Sequence, residues 1–165
     1  MIALSEIQSN LQNLDRLFSK SRSQKEALYY SKLAIIELCG WIEMSMDDII
    51  LRCAMRKLKL ASNKKLAREF VKKNYGFHYS LHFRNMLTKL VGLIALERIE
   101  RRLDQAKFIR LEAELSKLKL IRDPEAHTFI KGITRQIDSP SITLAQFHVI
   151  SDGLLDYDRI LRMYV

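Results

Sequence analysis

The run QKEALYYSKLAIIELCGWIEMSMDDIILRCAMRKL, residues 24–58, decides the fold. Within it Leu28, Ser31, Ile35, Leu38, Ile42, Met46, Ile49 and Cys53 recur at steps of three and four. That period keeps side chains on one face of an α-helix. Ile36, Trp41 and Ile50 fall off the stripe, so this helix is expected to be covered on more than one side and to sit centrally. Gly40 costs about 1 kcal/mol in mid-helix relative to alanine. Its expected use is to let a neighbouring helix pack close.

The same period extends in both directions. Upstream, Leu4, Ile7, Leu11, Leu14 and Phe18 mark a first helix, separated from the long one by the polar loop SKSRS at 19–23. Downstream, a third helix is expected from a cap at Ser62 or Asn63 to about Asn74, with Gly76 ending it. A fourth is expected over 78–90, with irregular backbone near Gly92. A fifth runs over 104–121 on the stripe Phe108, Leu111, Leu115 and Leu118. The last follows the turn Asp138-Ser139-Pro140, begins near Ser141 or Thr143, and carries Phe147, Ile150, Leu154, Tyr157, Leu161 and Tyr164. The reading is an all-α fold, an antiparallel bundle of five to six helices forming a single domain over 1–165.

Composition agrees. The 165 residues are 48% apolar and 28% charged, which suits one packed core. Five glycines and two prolines are too few for the frequent turns of a sandwich or barrel. A formal charge of +9 points to a polyanionic partner: nucleic acid, an anionic membrane surface or an acidic protein. Cys39 and Cys53 lie about 20 Å apart at the helical rise, too far to bridge, and read as reduced apolar residues of a cytosolic protein. The N-terminus has no basic stretch followed by an apolar one, so no signal peptide is expected. The most apolar run, 90–96, is too short to span a bilayer. The expectation is a soluble, cytoplasmic protein.

One residue breaks the pattern. Extending the fifth helix's stripe by four positions from Leu118 lands on Arg122, a charge where the pattern asks for an apolar side chain. Asp123 and Pro124 follow. Proline clashes inside a helix but is welcome at a first helical position behind an Asp cap. A break at Asp123 is therefore expected, with a new short turn carrying His127. On an unbroken helix, positions five apart point about 140° away from each other, so such a break would turn Arg122 and His127 toward one cleft.

The segment RDPEAH (122–127), an arginine and a histidine separated by four residues late in an all-helical chain, resembles the signature motif of the HEPN superfamily. In that family the spacer is four to six residues, and a polar residue, here Asp123, usually follows the arginine. The flanks LKLIRDPEAHT (118–128), KGIT (131–134) and IDSPS (137–141), with ELCGWIEMSMDD (37–48), are similar to bacterial HEPN proteins of the RiboL-PSP type. The likeness covers most of the chain from about Ser31 onward.

The resemblance implies a metal-independent endoribonuclease. Such an enzyme uses the ribose 2′-hydroxyl as nucleophile and leaves a cyclic phosphate and a 5′-hydroxyl. The chemistry needs an acid/base working near neutral pH, a part suited to His127. It also needs a cation on the developing phosphorane, a part suited to the guanidinium of Arg122. Asp123 would orient a neighbour or cap the turn. The family pairs such motifs across a two-fold interface, which implies a homodimer acting on RNA, a toxin or phage-defence effector with an antitoxin or regulatory partner. An acid at the position of Glu37 often approaches the motif arginine in the family. Lys119, Lys131 and Arg135 flank the motif as phosphate contacts. Some family toxins carry a tyrosine two positions after the histidine as a modification site; Phe129 stands there and has no hydroxyl.

Blander readings stay open beside these. Arg122 and His127 can simply satisfy carbonyls and acids at a helix junction, leaving a noncatalytic module that binds RNA or protein. Glu37 reads by default as a surface charge. His78 and His82 share a helical spacing, but no third ligand accompanies them and the surrounding aromatics suggest packing, so no metal site and no cofactor is expected. Asp47 and Asp48 are adjacent and face different ways, which speaks against a two-metal centre. The stretch 52–73 holds nine Lys/Arg and one acid, Glu69. It suits phosphate steering and a plain solvated face equally.

Overall fold

Short polar links between amphipathic helices force neighbours to fold back on each other. The computed structural model describes residues 2–127 and 137–164, with the backbone alone at 124–127 and 164. The described residues form seven α-helices and one π-helical turn: α1 (Ser5–Ser19), α2 (Gln24–Lys57), α3 (Ala61–Lys72), the π-turn (Tyr79–Phe83), α4 (Arg84–Val91), α5 (Leu93–Glu100), α6 (Gln105–His127) and α7 (Pro140–Tyr164). They contain no strand.

Helix α2 begins where its sequence says. The Ser23 hydroxyl accepts the Glu26 N–H at 3.2 Å, and the Glu26 carboxylate accepts the Arg22 N–H at 2.7 Å, close to a capping box. Trp41 donates its indole N–H to the Ala3 carbonyl at 2.8 Å, so the start of α1 meets the middle of α2 and the two helices run antiparallel. Helices α6 and α7 are antiparallel too, because Asp104 meets Asp156 and Glu114 meets Gln146. Trp41 stacks edge-on with Phe147 and Arg52 pairs with Asp158, which sets α2 and α7 parallel. The result is a four-helix bundle of α1, α2, α6 and α7 with α2 and α7 central; α3 to α5 form the long connection from α2 to α6.

The stripes read from the sequence line the core. Ile35, Leu38, Ile42, Met46 and Ile49 of α2 are buried with Leu111, Leu115 and Leu118 of α6 and with Phe147, Ile150, Leu154, Tyr157 and Leu161 of α7. No helix among the described residues is long and apolar enough to cross a membrane.

Four details depart from the sequence reading. Gly40 meets nothing within 4 Å of where its Cβ would stand, so it permits no close approach; Gly153 does, since a Cβ there would lie 2.7 Å from Leu111 Cβ. Helix α3 starts at Ala61 with no side-chain cap. The fourth segment opens as a π-turn, and α5 follows Gly92, whose φ of 77° marks a sharp re-entry. Finally, α6 does not break at Asp123 but runs through Pro124 to His127. Pro124 removes one N–H, and the carbonyl it orphans belongs to Leu120, on the solvent face of α6 and 77% exposed. A carbonyl on an exposed helix face is open to satisfaction by solvent, so the helix bears the proline at a cost of about 3 kcal/mol instead of ending.

Candidate functional site

The seam where α6 crosses α2 beside the π-turn collects the charges. Arg122 reaches it as the polar continuation of the Leu111, Leu115 and Leu118 face. Its Nη2 lies 3.4 Å from Glu43 Oε1 on α2, and its Nη1 lies 3.4 Å from Asp123 Oδ1. Both contacts are long, so the guanidinium is held without a tight bidentate clamp. Lys119, one turn back, donates to Asp123 Oδ2 at 2.8 Å. The four side chains are between 31% and 45% exposed, so the seam opens to water.

Asp123 is therefore a carboxylate shared by two cations rather than the cap of a new turn. Its hydrogen bond from Lys119, helped by Arg122, holds its pKa below the usual carboxylate range. Lys119 is occupied by that pairing.

Glu37 stands elsewhere. It lines the groove between α1 and α2 with Ile36, Gly40 and Trp41, and the acid that faces Arg122 is Glu43. Six residues along a helix is about 120° off register, so the two glutamates occupy different faces of α2. Lys131, Arg135 and Phe129 lie outside the described residues, and so does the side chain of His127. What α6 fixes for His127 is its backbone place, on the same continuous helix as Arg122.

Three groups join the seam that the sequence did not single out for it. Cys39, 2% exposed, lies within electrostatic reach of Arg122, Glu43 and Asp123; burial pushes its thiol up to about 12, leaving it inert. Asp47, one turn beyond Glu43, is raised to about 6 by burial and by the neighbouring Glu43 charge. His82 lies within electrostatic reach of Glu43 and Lys119, and burial lowers its pKa. Its Nδ1 accepts the His78 backbone N–H at 3.1 Å, so in the neutral ring the proton resides on Nε2. The ring rests against Gly76, where φ is 116° and a Cβ would stand 2.8 Å from Cε1. Only glycine combines that backbone angle with that contact.

Of His82's two ring nitrogens, Nδ1 is thus engaged by the backbone of His78. Among the described residues no group of three or more His, Cys, Asp or Glu side chains is placed to hold a metal ion. The basic stretch divides between the end of α2 and the exposed side of α3. Of the aromatics around the histidines, Phe77, Tyr79 and Phe83 are buried and Tyr75 is exposed; Tyr79 and Phe83 stack edge to face or tilted with each other and with Tyr157 in the core. The signal that would have found His82 is not local but the approach of elements far apart in sequence, whereas Asp47 follows Glu43 by one turn of the same helix.

Chemically, the seam offers a half-open guanidinium, an acid titrating near neutral pH and a neutral imidazole. Those are the parts of proton transfer next to an anion. Compared with known proteins, the chain matches no family model, no curated protein and no solved structure.

Proposed function

We propose that this protein is a HEPN-type, metal-independent endoribonuclease that works as a homodimer. Arg122 stabilises the phosphorane and His127 moves the proton between the 2′-hydroxyl and the leaving oxygen. The observation that carries the reading is the seating of Arg122. A guanidinium continues an apolar stripe, stays a third exposed, and faces a loose acid partner across two long helices of a strongly basic chain. A stripe position built only for packing has no need of that charge.

The continuous helix bears on the assembly. Positions 122 and 127 stand about 140° apart around one axis, and on the nuclease reading a homodimer would supply the two groups of one cleft from two copies. Asp123, tied to Lys119, orients Arg122 from its own side.

A second reading has its own observation: Arg122 is already paired within the chain, to Glu43 and Asp123, as in a module that binds RNA without turnover. One experiment separates them. The purified protein is incubated with RNA in EDTA, beside His127→Ala and Arg122→Ala, and the ends are analysed. The nuclease reading expects cyclic-phosphate ends from the wild type and at least a hundredfold loss in both variants. Cleavage that requires magnesium, or that survives in His127→Ala, would overturn it. Salt-sensitive RNA binding with no new ends assigns the protein to the second reading.

A further inference from the structure

At the C-terminal ends of the parallel helices α2 and α7 lies a cavity of about 320 Å³. Four cations line it: Arg52, Arg56, Lys57 and Arg162. Among the described residues the only lining acid is Asp158, 6% exposed, which takes Arg162 on one oxygen and stands 3.4 Å from Arg52 Nη2 with the other. The opposite wall is apolar, made by Ile49, Cys53 and Leu161.

Arg52 is the anomaly. Its Nε is satisfied by Asp48, at 3.0 Å from the carboxylate and 3.2 Å from the carbonyl. Its two terminal nitrogens, Nη1 and Nη2, are buried and make no hydrogen bond among the described residues, Nη2 meeting Asp158 only as a long ion pair. Basic residues in a last helical turn answer the helix dipole, which accounts for Arg56, Lys57 and Arg162. It does not account for Arg52, more than a turn inside α2 with its fork turned inward. A guanidinium fork whose terminal N–H groups make no hydrogen bond within the chain suits a planar pair of oxygens. The cavity's four cations against Asp158 and the outlying Asp48 leave two positive charges for them to meet.

We propose that this cavity binds a dianionic phosphoryl group on the Nη1/Nη2 edge of Arg52, carried by a small apolar body that rests on Ile49, Cys53 and Leu161. Arg56 and Lys57 close the remaining phosphate oxygens, and the cavity volume limits the body to about the size of a single ring. The site is separate from the Arg122 seam. Arg52 lies nine residues beyond Glu43 on α2, about 14 Å along the helix, so this inference does not depend on the nuclease reading.

The test is calorimetric titration of the full chain with phenyl phosphate, inorganic phosphate and phenol. Phenyl phosphate is expected to bind one per chain, at least tenfold more tightly than inorganic phosphate, with phenol showing no heat. Arg52→Gln should weaken it at least tenfold, whereas Lys65→Gln, which removes the same charge from the exposed face of α3, should leave it unchanged. If Arg52→Gln does not fold, the wild type answers: phenyl phosphate should saturably slow alkylation of Cys53, while buried Cys39 stays unreactive throughout. Absence of saturable binding, equal binding of phenol, or equal weakening by Arg52→Gln and Lys65→Gln would overturn the site. Inorganic phosphate binding as tightly as phenyl phosphate would overturn the seat for an organic body.

Discussion

Arg122 and Glu43 face each other across the α2–α6 seam at 3.4 Å, 79 residues apart in sequence. Glu43 acts on more than the arginine. Its charge also helps hold Asp47, one turn along α2, up at about 6, after the larger effect of burial. Replacing Glu43 with glutamine removes that repulsion, so the Asp47 midpoint should fall. An NMR titration of the side-chain carboxyl carbons reads this directly. A midpoint that rises or stays put would mean that Glu43 does not face Asp47.

Asp47 itself makes folding sensitive to pH. Its folded pKa lies above the value of 3.8 it has when free, so the folded state binds the proton more tightly. Below about pH 3.8 the two states are protonated alike and the group is neutral in effect. As pH rises through about 6, the fold must carry a charge it disfavours, and stability declines. The displacement corresponds to at most about 3 kcal/mol, and solvent screening at this half-open position reduces it to about 1 kcal/mol. Asp47→Asn should therefore stabilise the protein by about 1 kcal/mol at pH 7.5, with the gain shrinking toward pH 4. Urea denaturation at the two pH values checks it; a gain independent of pH contradicts the assignment.

The long helices were legible because their apolar residues keep one period for many turns. Ile35 to Ile49 and Phe147 to Leu161 could be read without knowing what covers them. The π-turn at Tyr79–Phe83 has no such signal, and α5 is short and follows Gly92 without a polar cap. The break expected at Asp123 rested on a sound local rule about proline. It failed where the residue whose carbonyl is at stake, Leu120, lies on the exposed face of α6, a placement set by how α6 rotates against α2. The site divides in the same way. Arg122 was visible as a charge in an apolar stripe, and Glu37 was assigned by likeness rather than by register. Glu43, Asp47 and His82 became neighbours of the motif only through tertiary contact between α2, α6 and the π-turn.

Two glycines in the bundle predict opposite outcomes. Gly153 faces Leu111 so closely that an added Cβ would stand 2.7 Å from Leu111 Cβ. Gly153→Ala should destabilise the α6–α7 contact by about 1–3 kcal/mol through overpacking. At Gly40 the same Cβ meets nothing within 4 Å, so Gly40→Ala should stabilise α2 by about 0.5–1 kcal/mol through helix propensity. Thermal melts of the two variants beside the wild type decide both. Equal shifts of one sign would show that α2 and α7 are not packed as described.

His82 offers a test of the seam that needs no substrate. Burial, more than any neighbour, holds its pKa below the ordinary 6.5, while Glu43 raises it and Lys119 lowers it. Substituting the acid should therefore move the titration further down, and substituting the base should move it up. The Cε1 proton of His82, followed by NMR from pH 4 to 8, should show a midpoint below 6.5 in the wild type, lower in Glu43→Gln and higher in Lys119→Gln. Because the folded state favours the neutral ring, it loses stability as pH drops through 6.5. His82→Ala should remove that part of the acid sensitivity. Gly76→Ala should disturb the ring without touching it chemically. An alanine at φ 116° is strained by about 1–3 kcal/mol, and its Cβ would stand 2.8 Å from His82 Cε1. A His82 midpoint that ignores both Glu43→Gln and Lys119→Gln would place the imidazole outside the cluster and leave Arg122 to act without it.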